Sequence, residues 1–392
     1  MEYGAANGRR TQPERALPRF LGLYGVLFLA FGVASPFLAL FLATRGLSAA
    51  AIGVALSAGT AIRLVSGPAG GRVADRLRAP RAVLTACTAG AALLGWLYLP
   101  VHSSAALIGV SILHAAALAP IVPLADAMAL ASAAADHFAY GWVRGAGSAA
   151  FIIGTIAAGL VVATHRIASI IWLNIVLLAV SAWCAGRLPD RLKTAAPPSI
   201  AGDGVRALFG IRMYRRVMAT AALIQGSHAL HDGFAVINWT RAGISSTSSS
   251  LLWSLSVGAE IIVFLFLGRV LIDRLSPAGA CALAALAGVF RWGILAETTS
   301  IWASALAEPL HGFTFALQHL VCVRLISSAV PAHLAGTAQA VYNTVAVGAA
   351  YAVLMLVSGW LYGNFGAHAF WAMAGLCAAA VPVAAGLRTP GH

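Results

Sequence analysis

The sequence predicts an all-α membrane protein of twelve transmembrane helices arranged as two pseudo-symmetric six-helix bundles. Three observations lead there. Of the 392 residues, 60% are hydrophobic and only 9% are charged, against about 25% charged in a water-soluble domain. The apolar residues fall into runs of about 20, the length a helix needs to cross a bilayer. A charged, glycine-led stretch, Gly71-Arg72-Val73-Ala74-Asp75-Arg76, follows the second run, and a near copy, Gly268-Arg269-Val270-Leu271-Ile272-Asp273-Arg274, follows the second run of the later half. Both read as turns, and the repetition sets the register in which the halves compare.

Taken in order, residues 1–17 carry Arg9, Arg10 and Arg15 with no cleavable signal pattern, and read as a cytoplasmic tail. The first bundle, 18–187, holds spans centred on 18–44, 50–70, 81–100, 104–130, 141–163 and 167–186. A linker, 188–215, contains Pro189, Pro197, Pro198 and Gly202 with clustered charge, and its 205–214 portion has the pattern of a short amphipathic surface helix. The second bundle, 216–388, holds spans at 216–240, 249–267, 278–296, 301–326, 337–361 and 367–387.

The net charge of +13 does not gather on one face as nucleic-acid binding requires. With the amino end inside, Arg45, Arg166 and Arg241 fall on the outer side and Arg63, Arg144 and Arg291 within spans. Every other basic residue of the 25 lies in cytoplasmic segments. The loop arginines are therefore a topology signal, and both termini are expected in the cytoplasm. The five cysteines lie inside apolar runs without metal-ligand spacing and read as small core residues.

An ionisable group inside a span is expensive unless it faces a cavity or a partner, so each one is a functional candidate. Here they are Arg63, Asp126, Arg144, His228, His231, Asp232, Glu260, Arg291, Glu308, His311 and His319. Asp126 and Arg144, on consecutive antiparallel spans near their inner ends, are placed to pair across a cleft. His228 and Asp232 lie one turn apart on one helix face. They could ligate a metal, but no third ligand at a set spacing accompanies them, so no metal is expected. Glu308 shares a face with His311, and Pro309 makes it a local helix feature at a bend more than a proton carrier.

Six spans, a basic linker, six more spans and a G-x-x-x-D-R stretch after the second resemble the major facilitator superfamily of secondary transporters. Gly71, Asp75 and Arg76 match that superfamily's loop motif; Leu77-Arg78-Ala79-Pro80-Arg81 keeps its second half only weakly. The resemblance implies a gate in which Asp75 and Arg76 clasp the bundles on the cytoplasmic side when the carrier faces outward.

Within it, Pro123-Leu124-Ala125-Asp126 and Tyr140-Gly141-Trp142-Val143-Arg144 resemble the substrate-binding pair of the lactose permease branch. Phe290-Arg291-Trp292-Gly293 and Leu310-His311-Gly312 resemble its proton-coupling arginine and histidine. The carboxylate that branch places one turn after its histidine falls here on Thr314, which leaves Glu260 as the best replacement, with Arg291 as its neighbour. The stretches 223–229, 252–260, 290–294 and 339–343 resemble the phenylpropionic acid transporter group, except at His231-Asp232, where that group tends to be aromatic.

The expected function is proton-coupled uptake of a small organic acid, such as phenylpropionate or a related aromatic monocarboxylate. Substrate contacts are expected at Arg63, Asp126, Arg144, His228, Asp232, Trp253, Arg291 and His311, and proton coupling at Glu260, Arg291 and His311. A neutral sugar or nucleoside symporter and a drug efflux antiporter are the alternatives. No enzyme constellation is found. The expected driving force is the proton gradient without a cofactor, the expected partners are substrate, proton and lipid, and the expected form is a monomer in a bacterial inner membrane.

Overall fold

The computed structural model describes residues 16–190 and 202–387. The tail residues Arg9, Arg10 and Arg15, the linker residues Pro197 and Pro198, and Arg388 lie outside the described residues.

The described chain folds into helices, and twelve spans result when helices interrupted within the bilayer are counted as one. In the first half they are Ala16–Ala34 with Leu38–Thr44, Ala49–Leu77, Pro80–Trp96, Ser104–Leu118 with Ile121–Asp136, Tyr140–Thr164 and Ser169–Ala185. In the second they are Arg212–Gly226 with His228–Arg241, then Ser246–Ile262, then the later part of Gly268–Glu297. The tenth runs from Ile301–Ala307 to Gln318–Ala329, the eleventh from Ala335–Val341 to Ala350–Phe365, and the twelfth is Phe370–Ala384. Proline sets two of the interruptions, at Ser35-Pro36 and Ala119-Pro120, because it lacks the N–H that a continuous helix needs. Tryptophans near span ends, Trp142 and Trp302, are 71% and 79% exposed, as interfacial anchors are.

The repeated charged stretches are not turns. Gly71–Arg76 forms the last turns of span 2, which runs unbroken to Leu77 and stops only where Arg78 enters the left-handed region (φ 50°) ahead of Pro80. In the later copy Gly268–Arg274 is also helical, and the break falls at Ser276 (φ 63°), before Pro277. Glycine and charge mark a helix end at a membrane surface as readily as a loop, and proline is what stops the chain.

The surface helix is Gly202–Gly210, shorter and earlier than its expected position, because Ile211 breaks it and Arg212 already begins span 7. Its Leu208 is buried against the second half.

Three apolar cores show how the halves meet. At the arginine-rich ends each half has its own core, one around Phe20, Leu84 and Met128, the other around Tyr214, Leu325 and Tyr342. At the arginine-poor ends a single core draws on both, with Phe37, Phe41 and Ile52 packed among Phe234, Trp239 and Phe370. The molecule is thus closed at the arginine-poor end and parted at the other.

Small residues make that closure. A Cβ on Gly53 of span 2 would lie 2.8 Å from the Cα of Gly359 in span 11. One on Gly159 of span 5 would overlap Ser250 of span 8. Ser57 also donates from its hydroxyl to the Ala352 carbonyl at 2.7 Å. Gly53→Val is expected to cost about 1–3 kcal/mol by overpacking, read as a lowered unfolding temperature of the purified protein.

Candidate substrate and proton site

The second half holds a connected set of ionisable groups. Arg291, fully buried in span 9, donates from Nη2 to Glu308 Oε2 at 2.8 Å. Its Nη1 lies 3.0 Å from His311 Nδ1. Glu308, also fully buried, places Oε1 3.0 Å from His231 Nε2. His231 Nδ1 is 3.2 Å from Asp232 Oδ1, and Tyr351 donates to Asp232 Oδ2 at 2.8 Å. At the opposite end His311 Nε2 lies 3.3 Å from Glu260 Oε2. The chain of contacts therefore has a dry centre and two wetter ends, Glu260 at 25% and Asp232 at 35% side-chain exposure.

One tautomer follows from geometry. Arginine can only donate, so His311 Nδ1 accepts from Arg291 and the ring proton sits on Nε2, directed at Glu260. A second ring proton cannot enter at Nδ1 unless the Arg291 bond breaks.

Local backbone builds this meeting. Pro309 turns the chain through a short 3₁₀ segment, Glu308–Leu310, and a π-helical segment follows at Gly312–Leu317. Another π segment, Val263–Leu267, follows Glu260 closely. Such insertions are concentrated at functional sites because they rotate side chains out of the regular register. Gly312 lets span 8 come close, since a Cβ there would lie 2.7 Å from the Ala259 carbonyl oxygen. Gly312→Val is expected to push spans 8 and 10 apart and break the Glu260–His311 contact, read as loss of uptake with the protein still folded.

Glu308 is no mere local helix feature: it is the buried counter-ion of Arg291. Sequence reading passed over this partnership because Pro309 hides the residue's direction. Glu260, assigned Arg291 as neighbour, instead faces His311. Trp253 is buried and stacks on His231 with ring centres 5.1 Å apart. His228 is buried among Trp292, His311 and Phe315. These two rings support the network from behind.

In the first half, Asp126 does not pair with Arg144. Its Oδ1 accepts from Tyr140 at 2.7 Å and from Tyr24. Tyr140 lies one turn before Arg144 and occupies the carboxylate first, while Arg144 stacks over the Phe28 ring at 5.1 Å. Arg63 stands at the middle of the 29-residue span 2. It is exposed, and the next residue, Leu64, lies against Gly348 of span 11, so Arg63 stands beside the contact between the halves. No acid of the described residues lies within ion-pair distance of it.

At the arginine-rich end, Asp75 and Arg76 have no side-chain partner among the described residues, as befits parted bundles. The corresponding Asp273 is bridged to Arg324 of span 10 and lies 3.8 Å from Arg269. The Arg324 hydrogen bond holds the Asp273 carboxyl below its ordinary value. Any stability from this exposed bridge is present above the ordinary carboxylate range and is lost as pH falls through the lowered value. Among the described residues no group of three or more His, Cys, Asp or Glu side chains is placed to hold a metal ion.

Residues 18–373 match the MFS_1-like family. The chain belongs to that family, within the major facilitator superfamily. It is 34% identical over 373 residues to a probable 3-phenylpropionic acid transporter of Escherichia coli (strain K12), covering 91% of this chain and 94% of that protein. It is 27% identical to the maltose permease of Geobacillus stearothermophilus, over 96% and 93% of the two chains. Its fold matches the crystal structure of the nucleoside transporter NupG with a TM-score of 0.83 at 15% identity, covering 94% and 97%. As a member of the family it is a multi-pass membrane transporter of a small molecule, not an enzyme, and its fold is the twelve-helix facilitator fold.

Proposed function

We propose that the protein is a proton-coupled symporter that takes up a small organic acid, an aromatic or related monocarboxylate such as phenylpropionate. It works by alternating access, without a cofactor, as a monomer in a bacterial inner membrane with both termini in the cytoplasm. The carrying observation is the connected path from Glu260 through His311, Arg291, Glu308 and His231 to Asp232, with a buried centre and accessible ends. Glu260 receives the proton, and once neutral it attracts the His311 Nε2 proton less strongly, so the change is felt across the ring at Nδ1, which accepts from Arg291. The Arg291–Glu308 ion pair then responds to the proton without leaving the core.

Arg63 supports an anionic substrate. A mid-bilayer guanidinium without an acid partner is costly until an anion neutralises it. Span 2 carries it, and span 2 packs on span 11 across the closed end, so a bound carboxylate acts where the halves hinge. The name of the Escherichia coli relative supports the same substrate class. The parting of the bundles at the arginine-rich end supports an inward-facing state, with the Asp75 and Arg76 clasp forming in the outward-facing one.

The test is accumulation of labelled 3-phenylpropionate in proteoliposomes under an imposed pH gradient, measured above protein-free vesicles. Uptake is expected for the acid, not for its amide, and is expected to collapse with a protonophore. Accumulation of maltose or a nucleoside in place of the acid overturns the reading. Arg63→Met is expected to weaken acid binding about tenfold to a hundredfold, the loss of one charge-assisted hydrogen bond of about 1.5–3 kcal/mol. Titration of the purified protein by calorimetry measures it.

A further inference from the structure

We infer that the transported acid carries a second polar group, a hydroxyl or ammonium hydrogen-bond donor, and that Asp232 recognises it. The inference deepens the proposed function and rests on it.

Asp232 is the one residue of 228–237 that is not buried. Its Oδ1 faces His231 and its Oδ2 accepts from Tyr351. A carboxylate offers about four acceptor positions, so the exposed face retains capacity after these two contacts. Span 2 meets span 11 where Ser57 donates to Ala352 and where Leu64 lies against Gly348, which puts Arg63 and Tyr351 at about the same level on the two halves, yet Arg63 and Asp232 form no ion pair. An open cation and a partly exposed anion thus lie at about one level, one from each bundle, with the anion held by the Tyr351 phenol.

A plain aryl acid satisfies Arg63 and lays hydrocarbon against Asp232, whose oxygens then lose water and gain nothing. An acid with a donor on its ring or side chain satisfies both groups and spans the two halves. Sites built around such a hydrogen bond discriminate strongly against analogues lacking it, because the site's own polar group is left without a partner. Asp232, held by His231 and Tyr351, is where the preference for a donor-bearing acid is set.

The test titrates the purified full-length protein by calorimetry with 3-phenylpropionate, 3-(3-hydroxyphenyl)propionate and phenylalanine. The parent is expected to bind the hydroxylated acid or the amino acid at least about tenfold more tightly than the plain acid, and which of the two it prefers identifies the donor. In Asp232→Asn, which removes the charge and replaces one of the two acceptor oxygens by a donor, the ratio is expected to fall within about threefold. Tyr351→Phe, which removes the hydroxyl that positions Asp232, is expected to narrow it as well and serves if the first variant does not fold. Equal binding of all three by the parent overturns this inference alone. A ratio that survives both substitutions overturns the role of Asp232. Binding of none of them, with maltose or a nucleoside bound instead, overturns the proposed function too.

Discussion

Replacing Glu308 with alanine is expected to destabilise the protein by about 3–5 kcal/mol, the usual cost of leaving one charge of a buried pair uncompensated. Arg291 is fully buried, and its partners are the Glu308 carboxylate, the rings of His311 and His231, and the face of Trp292 at 4.4 Å. Rings offer it lone pairs or π density but no negative charge of their own. Without Glu308 the guanidinium remains at membrane depth with nothing to balance it. The double variant Arg291→Met with Glu308→Gln is expected to recover most of the lost stability, since replacing a whole buried pair by uncharged side chains is often neutral. It is not expected to recover uptake. Thermal unfolding of both variants in detergent, analysed as a double-mutant cycle, measures the coupling. An unfolding free energy for Glu308→Ala within about 0.5 kcal/mol of the parent would show the pair to be solvated.

The same pair shows where sequence reading stops. The spans were legible because a bilayer fixes their length and forbids unpaired backbone, so long apolar runs have one meaning. The candidate charges were legible for a related reason: at membrane depth each of Arg63, Asp232, Glu260, Arg291 and His311 stands out against hydrocarbon. Their partners were not legible. Which residue a side chain meets depends on helix rotation, and the π segments at 263–267 and 312–317 alter that rotation. The missing carboxylate at Thr314 left Glu260 of span 8 as the replacement with Arg291 as its neighbour, whereas Glu260 meets His311 instead, brought near by the missing side chain of Gly312. In the first half a tyrosine defeated the expected Asp126–Arg144 pair, because a hydroxyl one turn closer occupies the carboxylate. Gly71–Arg76 failed as a turn for a different reason: its residues are compatible with either state, and Pro80 alone decides where the helix ends.

Glu260→Gln is expected to separate proton coupling from substrate movement. Glutamine keeps the size of the side chain and an acceptor for the His311 Nε2 proton at 3.3 Å, but it can no longer gain or lose charge. In an electroneutral symport of one proton with one carboxylate, each unit of pH gradient is worth about 1.4 kcal/mol and sustains about tenfold accumulation. The parent is therefore expected to reach about a tenfold plateau in proteoliposomes under a one-unit gradient, and Glu260→Gln a ratio of about one. Counterflow, in which labelled substrate exchanges for unlabelled without net proton movement, is expected to persist in the variant, because the permanently neutral side chain mimics the protonated state in which the loaded carrier reorients. Persistence of the tenfold plateau in Glu260→Gln would move the proton to the other accessible end of the network. Asp232 would then have to serve both substrate and proton, and Asp232→Asn would abolish accumulation while sparing counterflow.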